Sequence, residues 1–182
     1  MKGFILAVVV EYLESEYGGE VTQDLKGIVP DGPLSDVYLS TYDYPENSLD
    51  NLISYVANLV GIEKGKLAKI IGVYLFSELM VLNPQWIGLC NNAFELLGTY
   101  ETINDILKSD IPGYVPPSFE CIEIGYDVFE VGYRSTFVPP DVAEGVIHAI
   151  FIYYDEHFIV DRIPSEPQVD FNGKFILRRR SY

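Results

Sequence analysis

Apolar residues recur at helical spacing up to about residue 110 and alternate strand-fashion afterwards, which predicts a helical part followed by a strand-rich one. Phe4, Ile5, Val8, Val9, Tyr12 and Leu13 mark a first helix over 3–17, stopped by Gly18-Gly19. Glu20 to Ile28 reads as a shorter helix closed by the Pro30-Asp31-Gly32-Pro33 turn, and 34–46 as a short helix and loop. Asn47 or Ser48 caps a helix carrying Leu49, Leu52, Ile53, Val56, Leu59 and Val60, with Gly61 beyond its end. Residues 63–82 are apolar on several faces, which makes that helix central to its bundle. After a short helical piece containing Trp86, Asn91 or Asn92 starts a helix to about Lys108. It turns Leu96, Leu97, Tyr100, Ile103 and Leu107 inward before Pro112-Gly113 ends it.

Strand patterning takes over at Pro116 to Phe137, where SFECIEI and DVFEVGYRS flank the turn residues Gly125, Tyr126 and Asp127. Pro139-Pro140-Asp141 then opens a mostly apolar helix over 141–154. HFIVDRI and FNGKFILRRR follow as two more strands around a Pro-rich turn at 164–167. The order of helices and then β-β-α-β-β predicts an α+β fold, and 182 residues suit a single domain of two lobes.

Composition changes this picture little but removes several functions. Hydrophobic residues at 48% and aromatics at 14% exclude a disordered chain. A net charge of −15 repels phosphate backbones, so nucleic acid is not the expected partner of this acidic protein. Two cysteines, Cys90 and Cys121, and two histidines, His148 and His157, are too few and too scattered for a structural zinc site. The apolar start FILAVVV is followed at once by Glu11, Glu14 and Glu16, which reads as a core helix of a cytoplasmic protein rather than a signal peptide. No apolar run is long enough to span a bilayer. There is no paired nucleophile and base, no phosphate-cradling glycine loop and no carboxylate pair in a plausible cleft; Glu120 and Glu123 read as strand-surface charges. An enzyme is not expected.

Five features occur together in a telling order: the MKG start with Ile5, the helix ENSLDNLISYVANLVGI, the run Gly72 to Leu79 with Phe76, the strand entry Pro116-Pro117-Ser118-Phe119 with Cys121, and Tyr133-x-Ser135. In that order the chain resembles the haem nitric oxide/oxygen binding family, H-NOX or HNOB, the sensor fold of soluble guanylate cyclase. The resemblance implies one domain over 1–182, with a distal helical lobe at 1–63 and helices plus a sheet lobe at 64–182. The sheet is expected to be four-stranded and antiparallel, with a helix between its two hairpins.

In that family a histidine is the only protein ligand of the haem iron, and a YxSxR motif binds the propionates. Counted back from Pro117, the histidine position falls on Asn104 and the acidic residue one turn earlier on Glu101. Counted forward, Tyr133 and Ser135 keep their places while the arginine position falls on Phe137; the same register puts Gly145 on a family glycine. An amide is a poor iron ligand beside an imidazole, and Phe cannot clamp a carboxylate. Arg134 is one candidate substitute, but on a strand it points to the opposite face from Tyr133 and Ser135.

The register puts Phe76, Leu79, Val142 and Val146 on the distal wall with Ile5 nearby. None of them donates a hydrogen bond, and Val142 holds the position of the distal tyrosine. The expectation is a sensory, ligand-binding signalling domain without His-ligated haem, its apolar pocket collapsed or holding another hydrophobic small molecule. The competing expectation is a haem-binding nitric oxide sensor with a different iron ligand, for which Cys121 and His148 are the candidates, though each reads more simply as a packing residue. The resemblance implies a separate partner protein, a histidine kinase or a cyclic-dinucleotide enzyme.

Overall fold

The computed structural model describes residues 3–22, 43–82, 84–110, 113–163 and 172–180. Six helices precede and interrupt one sheet among them: α1 (Gly3–Tyr17), α2 (Ser48–Val60), α3 (Lys64–Leu82), α4 (Pro84–Gly88), α5 (Ala93–Asp110) and α6 (Pro140–Tyr153). Strands β1 (Ser118–Gly125) and β2 (Val128–Arg134) precede α6, and β3 (Phe158–Ile163) and β4 (Gly173–Arg179) follow it. The sheet runs β1-β2-β4-β3 with every neighbouring pair antiparallel, the α+β order expected.

The ends of these elements follow local chemistry. Gly61 closes α2 in the left-handed conformation, at φ 72°, where a side chain would be strained. Asn92 caps α5 by accepting from the Glu95 amide at 2.9 Å, and Glu95 reaches back to the Asn91 amide at 2.7 Å, a reciprocal cap. Those hydrogen bonds hold the Glu95 carboxyl below its ordinary range. Pro140 begins α6, where the missing amide proton is not needed. The β1–β2 turn narrows to Tyr126 and Asp127, with Asp127 at φ 53°. Where a helix was expected over Glu20 to Ile28, the chain makes a single 3-10 turn at Gly19–Thr22; the remainder, most of the 34–46 expectation and the 164–167 turn lie outside the described residues.

Buried side chains gather into two cores. The first joins α1, α2 and the start of α3, through Leu6, Val9, Leu13, Leu52, Ile53, Leu67 and Ile71, and includes Val138 and Val142. The second joins α5, the sheet and α6, through Leu96, Leu97, Phe119, Val131, Tyr133, Ile147, Phe175 and Leu177. Helix α6 contributes to both, and it crosses α3 at very short range. A Cβ on Gly72 would run into the Val142 carbonyl oxygen, and one on Gly145 into the Lys69 carbonyl oxygen. Beside that crossing Lys69 Nζ meets the buried Glu144 carboxylate at 2.6 Å.

Candidate functional site

Helix α5 presents Tyr100, Asn104 and Leu107 along one stripe, since residues four and three apart stack on a helix face. Asn104 is 1% exposed. Its Nδ2 donates to the Pro117 carbonyl at 2.7 Å, tying α5 to the Pro-Pro entry of β1. Its Oδ1 is buried, and no donor among the described residues meets it.

The Tyr133, Ser135 and Phe137 positions form a turn that closes on itself. Tyr133 is buried and its hydroxyl donates to the Val138 carbonyl at 2.8 Å. Ser135 Oγ accepts from the Phe137 and Val138 amides at 3.2 and 3.0 Å, and the Ser135 amide donates to Asn172 Oδ1. Both hydroxyls that the resemblance assigned to propionates are thus engaged with backbone. The turn lays Phe137 half-buried against the first core. Arg134 is exposed, on the far side of the strand from the buried Tyr133.

The remaining predicted residues divide between the cores. Ile5 and Val142 are buried in the first, Phe76 and Val146 in the second, and Leu79 is half-buried on α3. Cys121 is half-buried against the second core, where burial pushes its thiol up to about 11. Such a thiol is almost wholly protonated at neutral pH, and it is the thiolate that binds metal. His148 leaves 43% of its side chain exposed, 3.9 Å from Glu144, and burial of the rest holds the imidazole below its usual value. Neither residue is brought beside Asn104 by any contact described. The exposed Glu101, with Gly98, Ser118, Phe119, Glu120, Cys121 and Arg134, instead lines a cleft of about 390 Å³ between α5 and the β1 edge. No group of three or more His, Cys, Asp or Glu among the described residues could hold a metal ion.

Two residues escaped the sequence reading as members of a site. Tyr100 and Tyr114 share with Tyr133 an aromatic surround: Phe119 lies edge-on to Tyr100 with centroids 4.7 Å apart and tilted against Tyr133 at 5.1 Å, while Tyr114 meets Phe4 at 5.2 Å. Burial raises all three phenols, Tyr100 to about 12 with the Glu101 charge adding to it, while Tyr100 raises Tyr114 further and Tyr100 and Tyr114 both raise Tyr133. The Ser135 hydroxyl opposes the rise at Tyr133 by hydrogen bonding to it. The one signal in the sequence was Tyr114 standing in a short segment bounded by Pro112 and Pro116, prolines that restrict the backbone two residues away on either side.

Among curated proteins none matches this chain. Solved structures do. An H-NOX protein of K. algicida in the unliganded Fe(II) state superposes with a TM-score of 0.82 at 17% identity, over 100% of this chain and 98% of that one. An H-NOX protein of S. oneidensis in the Fe(II)NO state gives 0.84 at 18% over 100% of both chains. A point mutant of T. tengcongensis H-NOX gives 0.78 at 17% over 100% and 98%. At such identities the likeness speaks for the fold alone. The family model described as haem-NO-binding, HNOB, matches residues 2–162. With that match over most of its length, the chain belongs to the haem-NO-binding family, a family of sensor domains.

Proposed function

We propose that this chain is a non-enzymatic sensory domain whose interior site does not hold His-ligated haem, its apolar pocket collapsed on its own side chains or holding another hydrophobic ligand. The single observation that carries this is Asn104, buried where the iron ligand is expected, with its amide nitrogen committed to Pro117. An amide nitrogen has no lone pair to give a metal, and an amide oxygen is a weak ligand beside an imidazole. The second anchor is missing as well. Phe137 offers no guanidinium, and the Tyr133 and Ser135 hydroxyls are bonded to the turn that carries it. The residues present therefore do not fit His-ligated haem with clamped propionates.

The output of such a domain passes to a separate protein. By family resemblance that partner is a histidine kinase or a cyclic-dinucleotide enzyme, and the domain acts as one unit over 1–182. No described helix is long and apolar enough to cross a membrane.

Purification from haem-replete cells tests the reading. The wild type is expected to show no Soret band at stoichiometric occupancy, and the double variant Asn104→His with Phe137→Arg is expected to gain one. A stoichiometric Soret band in the wild type overturns the proposal.

A further inference from the structure

Four consecutive residues of β1, Ser118, Phe119, Glu120 and Cys121, line one side of the cleft of about 390 Å³ between α5 and the β1 edge. Successive side chains of a strand point to opposite faces, so a cavity that meets all four runs along the edge of the strand rather than over one face. The sheet order leaves that edge open: β1 is terminal in β1-β2-β4-β3, and among the described residues β2 is its only strand neighbour. In an antiparallel ladder alternate residues turn their N–H and C=O outward, so this edge carries backbone groups without a strand partner. The opposite wall is α5, and there Gly98 leaves the helix bare; a Cβ built on it would meet nothing within 4 Å. The cleft thus has an open ladder on one side and room beside it.

The two edges of the sheet are guarded differently. On β3, Asp161 pairs with Arg178 and Arg162 with Asp141, and charges held in this way discourage further pairing. On β1, Ile122 and Ile124 stand about half exposed, and Tyr126 beyond them is 93% exposed. Charge indicates what would cover them. Asp127, Glu130 and Asp161 elsewhere on the sheet each have an Arg or Lys partner. Glu120 and Glu123 on β1, and Glu101 across the cleft, are exposed carboxylates that no ion pair among the described residues answers. A second copy of the chain would set the same carboxylates against each other, on a body of net charge −15, and like charges facing one another destabilise a strand pair. We propose that the α5–β1 cleft docks an extended, basic segment of a partner protein, which adds to β1 as a further strand. It lays apolar side chains beside Ile122 and Ile124 and brings lysine or arginine to Glu101, Glu120 and Glu123. This rests on the reading of the domain as one that acts through a separate protein, and it gives that protein a surface.

The end-capped peptide Thr-Lys-Val-Lys-Val-Lys-Thr serves as probe, titrated into the isotopically labelled full chain and followed by its backbone amide resonances. The amides of 118–123 are expected to shift, and the same peptide with Glu in place of Lys is expected to bind about tenfold more weakly, the sum of several exposed charge pairs. Backbone N-methylation separates strand addition from charge. An added strand turns every second N–H toward β1, so methylating one alternate set of residues is expected to abolish the shifts and methylating the other to leave them. Equal behaviour of the two sets, or shifts that miss 118–123, overturns the proposal. Resonances of 118–123 that move with protein concentration alone assign the edge to a second copy and overturn it as well. Glu120→Lys with Glu123→Lys, both exposed, is expected to reverse the preference toward the Glu peptide; should that variant fail to fold, the methylated pair on the wild type decides. A stoichiometric Soret band overturns the haem-free reading and leaves this surface standing, whereas equal methylated sets overturn the surface and leave the haem-free reading standing.

Discussion

The crossing of α3 with α6 and the junction of α5 with the strand entry are both buried, yet they are built on opposite terms. At the crossing two glycines let backbones touch, and the one buried carboxylate, Glu144, is matched by Lys69 at 2.6 Å. At the junction the contact is one side-chain hydrogen bond, Asn104 to Pro117, with an acceptor left over on the same amide. The crossing is thus frame, and the junction carries the Asn104 position on which the proposed reading rests. Close packing with every polar group answered leaves a region nothing further to bind, while an unanswered buried acceptor leaves one hydrogen bond still to be made.

The comparison breaks most readily at the crossing. Gly145→Val forces side-chain carbons into the Lys69 backbone, which flexible repacking cannot relieve. A loss of about 3 kcal/mol or more is expected by urea denaturation, with Gly72→Val similar. A loss under half that would mean the two helices can separate cheaply.

Alkali sharpens the other side. The Cys121 thiol is raised from 9.0 to about 11 and the Tyr100 phenol from 10.0 to about 12, both by burial first. Folded values above unfolded ones mean that the native state holds its protons longer. This stability is complete below about pH 9 and drains away as pH climbs through the folded values to about 12. Stability measured against pH should be level on the neutral side and fall across that window, and Cys121→Ala should move the onset of the fall upward. A flat profile through the window would show the phenols to be accessible to water.

Tyr133→Phe has the smallest effect. It removes one hydroxyl and strands the Val138 carbonyl, for a cost of about 1 to 2 kcal/mol by the same denaturation measurement. No measurable loss would mean that the turn does not depend on this bond.

Much of the frame could be read from residue order. The strands predicted over 118–124 and 127–135 form as Ser118–Gly125 and Val128–Arg134, because alternation and a short turn specify a hairpin locally. Helices α2, α3 and α6 likewise begin and end within a residue or two of their caps and breakers. The site was legible only as positions. That Asn104 would turn its nitrogen to Pro117, thirteen residues on, depends on how α5 leans on the strand entry, which no local pattern encodes. The glycine contacts at 72 and 145 depend on a crossing between helices far apart in the chain, and Lys69–Glu144 follows from the same crossing. Tyr100 was read only as an inward-facing residue because a phenol at helical spacing looks the same whether its hydroxyl meets solvent or a partner, and Tyr114, outside any helix, was not singled out.

The bond from Tyr133 to Val138 has a consequence for cooperativity. Tyr133 belongs to the second core and Val138 to the first, so this hydrogen bond, together with Leu107 packed against both, ties together two clusters that could otherwise open one at a time. With the tie intact both cores are expected to be lost in one transition. Loosening it is expected to ease opening of the α1–α2 side relative to the sheet, while α3 and α6, which contribute to both cores, still hold the two together.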